Sequence, residues 1–131
     1  MAGGGTARSD SSDAMVFLMN VTTEQVGTIP VVRVSGQLDS STADDFAQQM
    51  AAFEQAPGTR LVLDLEQVGY VSSAGLRVLL ALFKKLKAGG GGLVLASVHP
   101  RVQDILEIAG FTSILPVSPT TPAAIQSFSL L

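Results

Sequence analysis

Cysteine is absent from the 131 residues, which removes disulfides, thiolate zinc sites and cysteine nucleophiles in one step. Tryptophan is absent as well, and the aromatics are six Phe and one Tyr, so a core must be assembled mostly from Leu, Val, Ile and Ala. Positive charge is in short supply. The formal net charge is −3, whereas nucleic-acid phosphates call for clustered Lys and Arg. Lys84, Lys85 and Lys87 come nearest to a cluster, and they fall where a helix should end, a position the macrodipole favours for cations. Long apolar runs are missing too. Val78 to Phe83 is as long as any, far short of the ~20 residues a spanning helix needs, so no direct membrane partner is expected. The early charges are Arg8 and Asp10, and Met15 to Met19 is too brief for the apolar part of an export signal. The expected address is the cytoplasm.

What is present is enough for one fold. The length, with 47% apolar residues, is about one domain's worth and too apolar for a disordered chain. Residues 1–14 are dominated by Gly, Ser, Asp and Ala without periodicity and are expected to form a flexible tail. A single domain is expected over 15–131, and no internal repeat is visible.

Val16 to Gln25 starts apolar and then alternates weakly, which reads as an edge strand. Pro30 to Ser35 is rich in β-branched residues and reads as a second strand. Gly27 between them marks a hairpin. After Gly36-Gln37-Leu38-Asp39 a helix begins. Ser41 with Asp44, and Thr42 with Asp45, each resemble a capping box with Asp in place of Glu. Ala43, Phe46, Ala47, Met50 and Phe53 then share one face, and Pro57-Gly58 ends the run. Arg60 to Leu65 is nearly continuously apolar, as in a strand covered on both faces. Glu66 to Ser72 reads as a loop into a second helix, Ser73 to Lys87, whose expected stripe is Leu76, Leu79, Leu80, Phe83 and Leu86.

Gly89 to Gly92 interrupts the pattern before a buried strand from Leu93 to Val98. Pro100 suits the first position of a third helix and Gly110 the residue just past its end. Val102, Ile105, Leu106 and Ala109 form its stripe, and Phe111 suits a capping contact. Thr112 to Val117 reads as a last strand and Pro122 to Ser129 as an amphipathic segment. The order β-β-α-β-α-β-α-β-α predicts a single α/β domain. Its sheet should be mixed but mainly parallel, with about four to five strands and about four helices.

Chemistry concentrates at Val68 to Leu76, which leads from a buried strand into an amphipathic helix. The carboxyl ends of strands are where open α/β sheets meet ligands and partners. A Ser73 hydroxyl there stands at or near a helix N-terminus, whose free N–H groups favour added negative charge. A phosphoserine carries about −1.5 to −2 charges, so the position suits phosphorylation. Capping is the plain alternative for Ser72 or Ser73. Catalysis finds little support. Gly75 follows Ser73 as in a nucleophile elbow, but Val71 stands where that pattern needs Gly. The one histidine, His99, reads as a surface residue before Pro100. Asp39, Asp44, Asp45, Asp64 and Glu66 show no spacing that demands a metal. Gly89 to Gly92 lacks the Gly-Lys-Ser/Thr of a phosphate loop. No catalytic residue, metal or cofactor is expected.

Gly36-Gln37-Leu38-Asp39 resembles the G-x-L-D turn of a known family, and Leu63 to Leu80 (LDLEQVGYVSSAGLRVLL) resembles its signature. That family is the STAS-domain anti-sigma factor antagonists, and the resemblance runs from about Phe17 to Phe128. It implies a STAS-like fold and a phosphorylation switch. The implied partners are an anti-sigma factor that is also a serine kinase, and a metal-dependent serine phosphatase that reverses its action. Unphosphorylated, such an antagonist binds the kinase and frees the sigma factor. The acceptor two residues before the loop glycine corresponds to Ser73, with Ser72 as second candidate because it replaces the Asp that many members carry. Asp39 matches the turn aspartate beside the site. Ser72, Ala74, Gly75, Arg77, Val78 and Leu82 complete the implied partner-binding set, although Val78 and Leu82 equally suit a widened core stripe. The competing reading is a STAS adaptor that is never phosphorylated, for example in a lipid-transport or signalling complex. A small hydrolase is the third.

Overall fold

The computed structural model describes residues 19–129. The expected tail over 1–14 and the first residues of the expected edge strand, Val16 to Leu18, lie outside the described residues. Five strands, β1 (Met19–Val26), β2 (Ile29–Leu38), β3 (Arg60–Val71), β4 (Gly92–Ala96) and β5 (Val117–Ser118), form one sheet in sequence order. β1 and β2 are an antiparallel hairpin turning through Gly27 and Thr28, and the remaining neighbours are parallel. Four helices complete the fold: α1 (Ala43–Gln55), α2 (Ser73–Ala88), α3 (Pro100–Ile108) and α4 (Thr121–Ser129). The mixed, mainly parallel sheet and the four helices agree with the expected architecture.

The sheet is buried on both sides, for different reasons. Alternate residues of a strand point to opposite faces. Val32, Val34, Leu61, Leu63, Leu65, Leu93 and Leu95 therefore meet Phe46 and Met50 of α1, Leu79, Leu82 and Leu86 of α2, and Val102 and Leu106 of α3. Three helices on one face is what crossovers of uniform hand produce. Val31, Val62, Val94 and Ala96 point the other way, onto Ala124 and Phe128 of α4. The buried run of β3 from Leu61 to Leu65 thus serves two cores.

Three expectations need correction. The segment Glu66 to Val71 is strand, not loop, and continues β3 alongside β2. Two register shifts, between Arg33/Ser35 and between Gly36/Gln37, each add one residue to β3. Core-facing positions therefore fall at Leu65, Val68 and Val71, a spacing of three that hides the strand period of two. Thr112 to Val117 is mostly not strand. Phe111–Ser113 is a 3₁₀ turn, and pairing with β4 is confined to Val117 and Ser118. The stripe of α2 is also rotated. Gly75, Leu79, Leu82 and Leu86 are its buried line, with Leu76, Leu80 and Phe83 half-buried beside it. The opposite, exposed side carries Ser73, Arg77, Lys84 and Lys85, and the close approach at Gly75 lies at the start of the buried line. The end of α3 is as expected, with Gly110 left-handed at φ 79° and Phe111 packed against the core.

Leu79 lies at the centre of the larger core and is fully buried. Leu79→Ala should destabilise the domain by about 2–5 kcal/mol, read as a lower urea midpoint with an unchanged slope in chemical unfolding.

Candidate functional site

Leu38 pairs with Val71, so β2 and β3 end level and the turns that follow them are neighbours. In the first turn, Asp39 organises the chain. Its Oδ1 accepts the Ser41 N–H at 2.9 Å and the Ser41 Oγ–H at 2.6 Å. Thr42 Oγ1, buried, accepts the Asp39 N–H at 3.0 Å and donates to the Gln37 carbonyl at 2.8 Å. The Asp39 carbonyl accepts the N–H groups of Thr42 and Ala43 at 3.1 and 2.8 Å. Neither expected capping box forms. Thr42 is the N-cap residue but makes no side-chain cap bond, because its hydroxyl is committed to the turn. The hydroxyl and amide of Ser41 hold the Asp39 carboxyl below the usual carboxylate range.

The second turn carries the two serines, which have different tasks. Ser72 is extended and is the N-cap of α2. Its N–H donates to the Leu38 carbonyl at 2.9 Å, and its Oγ accepts the Gly75 N–H at 3.3 Å. Ser73 follows as the first helical residue and is exposed. The first turn of α2 contains no acidic residue, so its free N–H groups face no carboxylate of their own. Gly75 is buried, and a Cβ there would collide with the Leu38 carbonyl oxygen and stand 2.9 Å from Val71 Cγ1. Its contribution is steric: only hydrogen at that position lets α2 start so close to β2.

Around this point Ala74 is half-buried and Arg77 exposed. Arg77 is four residues beyond Ser73, so the two lie on one side of the helix a turn apart. Val78 is half-buried against the core. Leu82 corrects the expectation of a partner-facing residue. It is 1% exposed and belongs to the core stripe, because it lies seven residues after Gly75, three after Leu79 and four before Leu86, which places it on the buried line. With Val78 it forms part of a cleft of about 280 Å³ between α1 and α2, whose other walls include Ala47, Ala51 and Ala81. Glu54 and Lys85 also line this cleft and approach within 3.7 Å. Two further features have no counterpart among the expected site residues. Tyr70, 47% exposed, pairs with Gln37 on the face of β3 away from α1 and α2. Thr42 fixes the Asp39 turn. The alternation needed to see Tyr70 as exposed is disguised by the added residue at Gly69. His99 caps α3, its Nδ1 accepting the Arg101 N–H at 3.1 Å. Among the described residues no three acidic or histidine side chains gather into a metal site, and no helix is long and apolar enough to cross a membrane.

Residues 20–124 match the family model of the STAS domain. BtrV of Bordetella bronchiseptica, a candidate anti-sigma factor antagonist, is 36% identical over 110 residues, covering 84% of this chain and 95% of BtrV. An anti-sigma F factor antagonist of Paenibacillus polymyxa is 33% identical over 88 residues, which is 66% of this chain and 75% of that protein. Among solved structures, an anti-sigma factor antagonist from Mycobacterium paratuberculosis superposes with a TM-score of 0.76 at 28% identity, covering 83% of this chain and 92% of that one.

Because Ser72 and not Ser73 makes the cap, Ser72→Ala should cost about 1 kcal/mol of stability, while Ser73→Ala should stay within about 0.5 kcal/mol of the parent. Thermal unfolding of both variants checks the contrast. Asp39 has a lowered folded pKa, so the stability it contributes is complete above its unfolded value of about 4 and is lost as pH falls through the folded value. Carboxyl-carbon NMR titration should show Asp39 ionising below the ordinary range, and Ser41→Ala should move its midpoint upward.

Proposed function

Since the chain belongs to the STAS domain family, we propose that it is an anti-sigma factor antagonist switched by phosphorylation of Ser73. In the unphosphorylated state the Asp39 turn and the first turns of α2 dock on an anti-sigma factor that is also a serine kinase, and the sigma factor is released. The kinase transfers a phosphoryl group from ATP to Ser73 Oγ and the complex separates. A metal-dependent serine phosphatase restores the binding form. The protein acts by occupying its partner and performs no catalysis itself, and its place of action is the cytoplasm.

The observation that carries this reading is the division of labour between the two serines. Ser72 holds the helix, with its amide on Leu38 and its hydroxyl on Gly75. Ser73 is exposed at the first helical position, so its hydroxyl can be modified without removing the cap. A phosphoryl group there adds about −1.5 to −2 charges at the positive end of α2, beside the exposed Arg77. The free protein tolerates that charge. A partner surface that had matched a neutral hydroxyl does not, since the dianion must be desolvated against it. A penalty of about 3 kcal/mol weakens binding roughly a hundredfold. The relatives named anti-sigma factor antagonists support the same assignment.

Intact-mass measurement after incubation with ATP and each anti-sigma kinase of the source organism tests the proposal. One phosphate should appear on the parent and on Ser72→Ala, and none on Ser73→Ala. Ser73→Asp should bind the same kinase at least tenfold more weakly than the parent. Stable complexes without phosphate transfer, unaffected by Ser73→Asp, would overturn the switch and leave an adaptor.

A further inference from the structure

Asp64 is the one charged side chain among the buried described residues, at 8% exposed. A buried carboxylate is costly unless its oxygens are partnered, and here three elements supply partners. Oδ1 accepts the Glu66 N–H at 3.0 Å, Oδ2 accepts the Thr121 hydroxyl at 2.7 Å, and Arg33 Nε stands 3.9 Å from Oδ2. Its position in the sheet is equally particular. Asp64 forms the last pair between β3 and β4, with Ala96. Immediately beyond it the first register shift occurs, so that Arg33 pairs with Asp64 but Ser35 pairs with Gln67. Glu66 lies inside this bulge, and the Asp64 carboxylate holds its amide. From there to Val71, β3 is supported by β2 alone, and this arm ends at Ser72 and Ser73.

We propose that Asp64 is a positioning residue for Ser73: its carboxylate fixes the bulge where the serine-bearing arm of β3 leaves the main sheet. The bulge sets which residues of the arm face the core. Val68 and Val71 face it only because one residue is added at each shift, and Val71 in register with Leu38 is what brings the Ser72 amide to the Leu38 carbonyl. Losing the bulge moves the arm by one residue against β2, which would turn every side chain of the arm over. The bond to Thr121 has a separate role, tying the start of α4 to the sheet. The inference rests on Ser73 being the phosphoacceptor for its functional consequence, but not for its structural one.

Three variants of the full chain separate the two roles. Asp64→Ala removes both bonds, Asp64→Asn keeps an acceptor for the Glu66 amide, and Thr121→Val removes only the tie to α4. Amide hydrogen exchange over residues 66–73 should rise at least tenfold in Asp64→Ala while α1 stays protected. It should stay within about threefold of the parent in Asp64→Asn and in Thr121→Val. With the partner kinase, kcat/KM for Ser73 phosphorylation should fall about tenfold or more in Asp64→Ala and be restored in Asp64→Asn. Unchanged exchange in Asp64→Ala, or an equal effect from Thr121→Val, would refute the positioning role. So would raised exchange with undiminished phosphorylation. If Asp64→Ala does not fold, an Asp64→Asn variant with exchange raised as far as in a global destabilisation refutes it as well. A parent protein that no kinase phosphorylates counts against the proposed switch, while the exchange comparison still decides whether Asp64 holds the arm.

Discussion

One carbonyl oxygen, that of Leu38, governs how the site is built. It accepts the Ser72 amide at 2.9 Å, and it is the atom that a side chain at position 75 would strike. The hydrogen bond and the absent Cβ are therefore parts of one contact. A larger residue at 75 would push α2 off the end of β2 and break the amide bond that aligns its first turn. Because the interior is close-packed, that displacement would pass directly to Leu79 and the rest of the buried line of α2. The exposed serine is thus held by core packing and not by the flexibility commonly found in loops.

The same arrangement accounts for the economy of the surface. Asp39, Ser41 and Thr42 satisfy one another and the backbone of the first turn, and Ser72 satisfies the start of the second helix. Beside these satisfied turns stand the exposed Ser73 and Arg77 and the cleft bordered by Val78, which the proposed partner would meet. Charge added at Ser73 falls at the positive end of α2, where the fold accommodates it. On the proposed switch, the effect of modification would be borne by the complex rather than by the folded chain.

The two faces of the sheet divide the work of stability and presentation. α1, α2 and α3 cover the larger core, whereas α4 covers a smaller one formed by Val31, Val62, Val94 and Ala96. Beyond Asp64, β3 keeps only β2 as a paired strand, and the outer face of the two carries Tyr70 and Gln37 in the open. The bulges that create this arm add twist. They also explain why the segment has exposed pairs of residues between single core contacts.

Residue order alone determined the element sequence, the hairpin start, the double-sided burial of β3, the limits of α2 and α3, and the placement of Ser72-Ser73-Ala74-Gly75 at the start of α2. These are local properties, expressed in periodicity, caps and glycine placement, and the family signature lies on the same residues. Only tertiary structure decided matters that depend on distant neighbours. The bulges that turn an apparent loop into strand exist by register with β2. The inward turn of Leu82 goes with the approach of Gly75 to Leu38, which sets Gly75, Leu79, Leu82 and Leu86 as the buried line of α2. The buried carboxylate of Asp64 finds Thr121 across 57 positions of chain, a pairing that no local pattern encodes. The serine that caps and the serine left free look alike as neighbours in the chain, and only the partner of each oxygen in the folded molecule tells them apart.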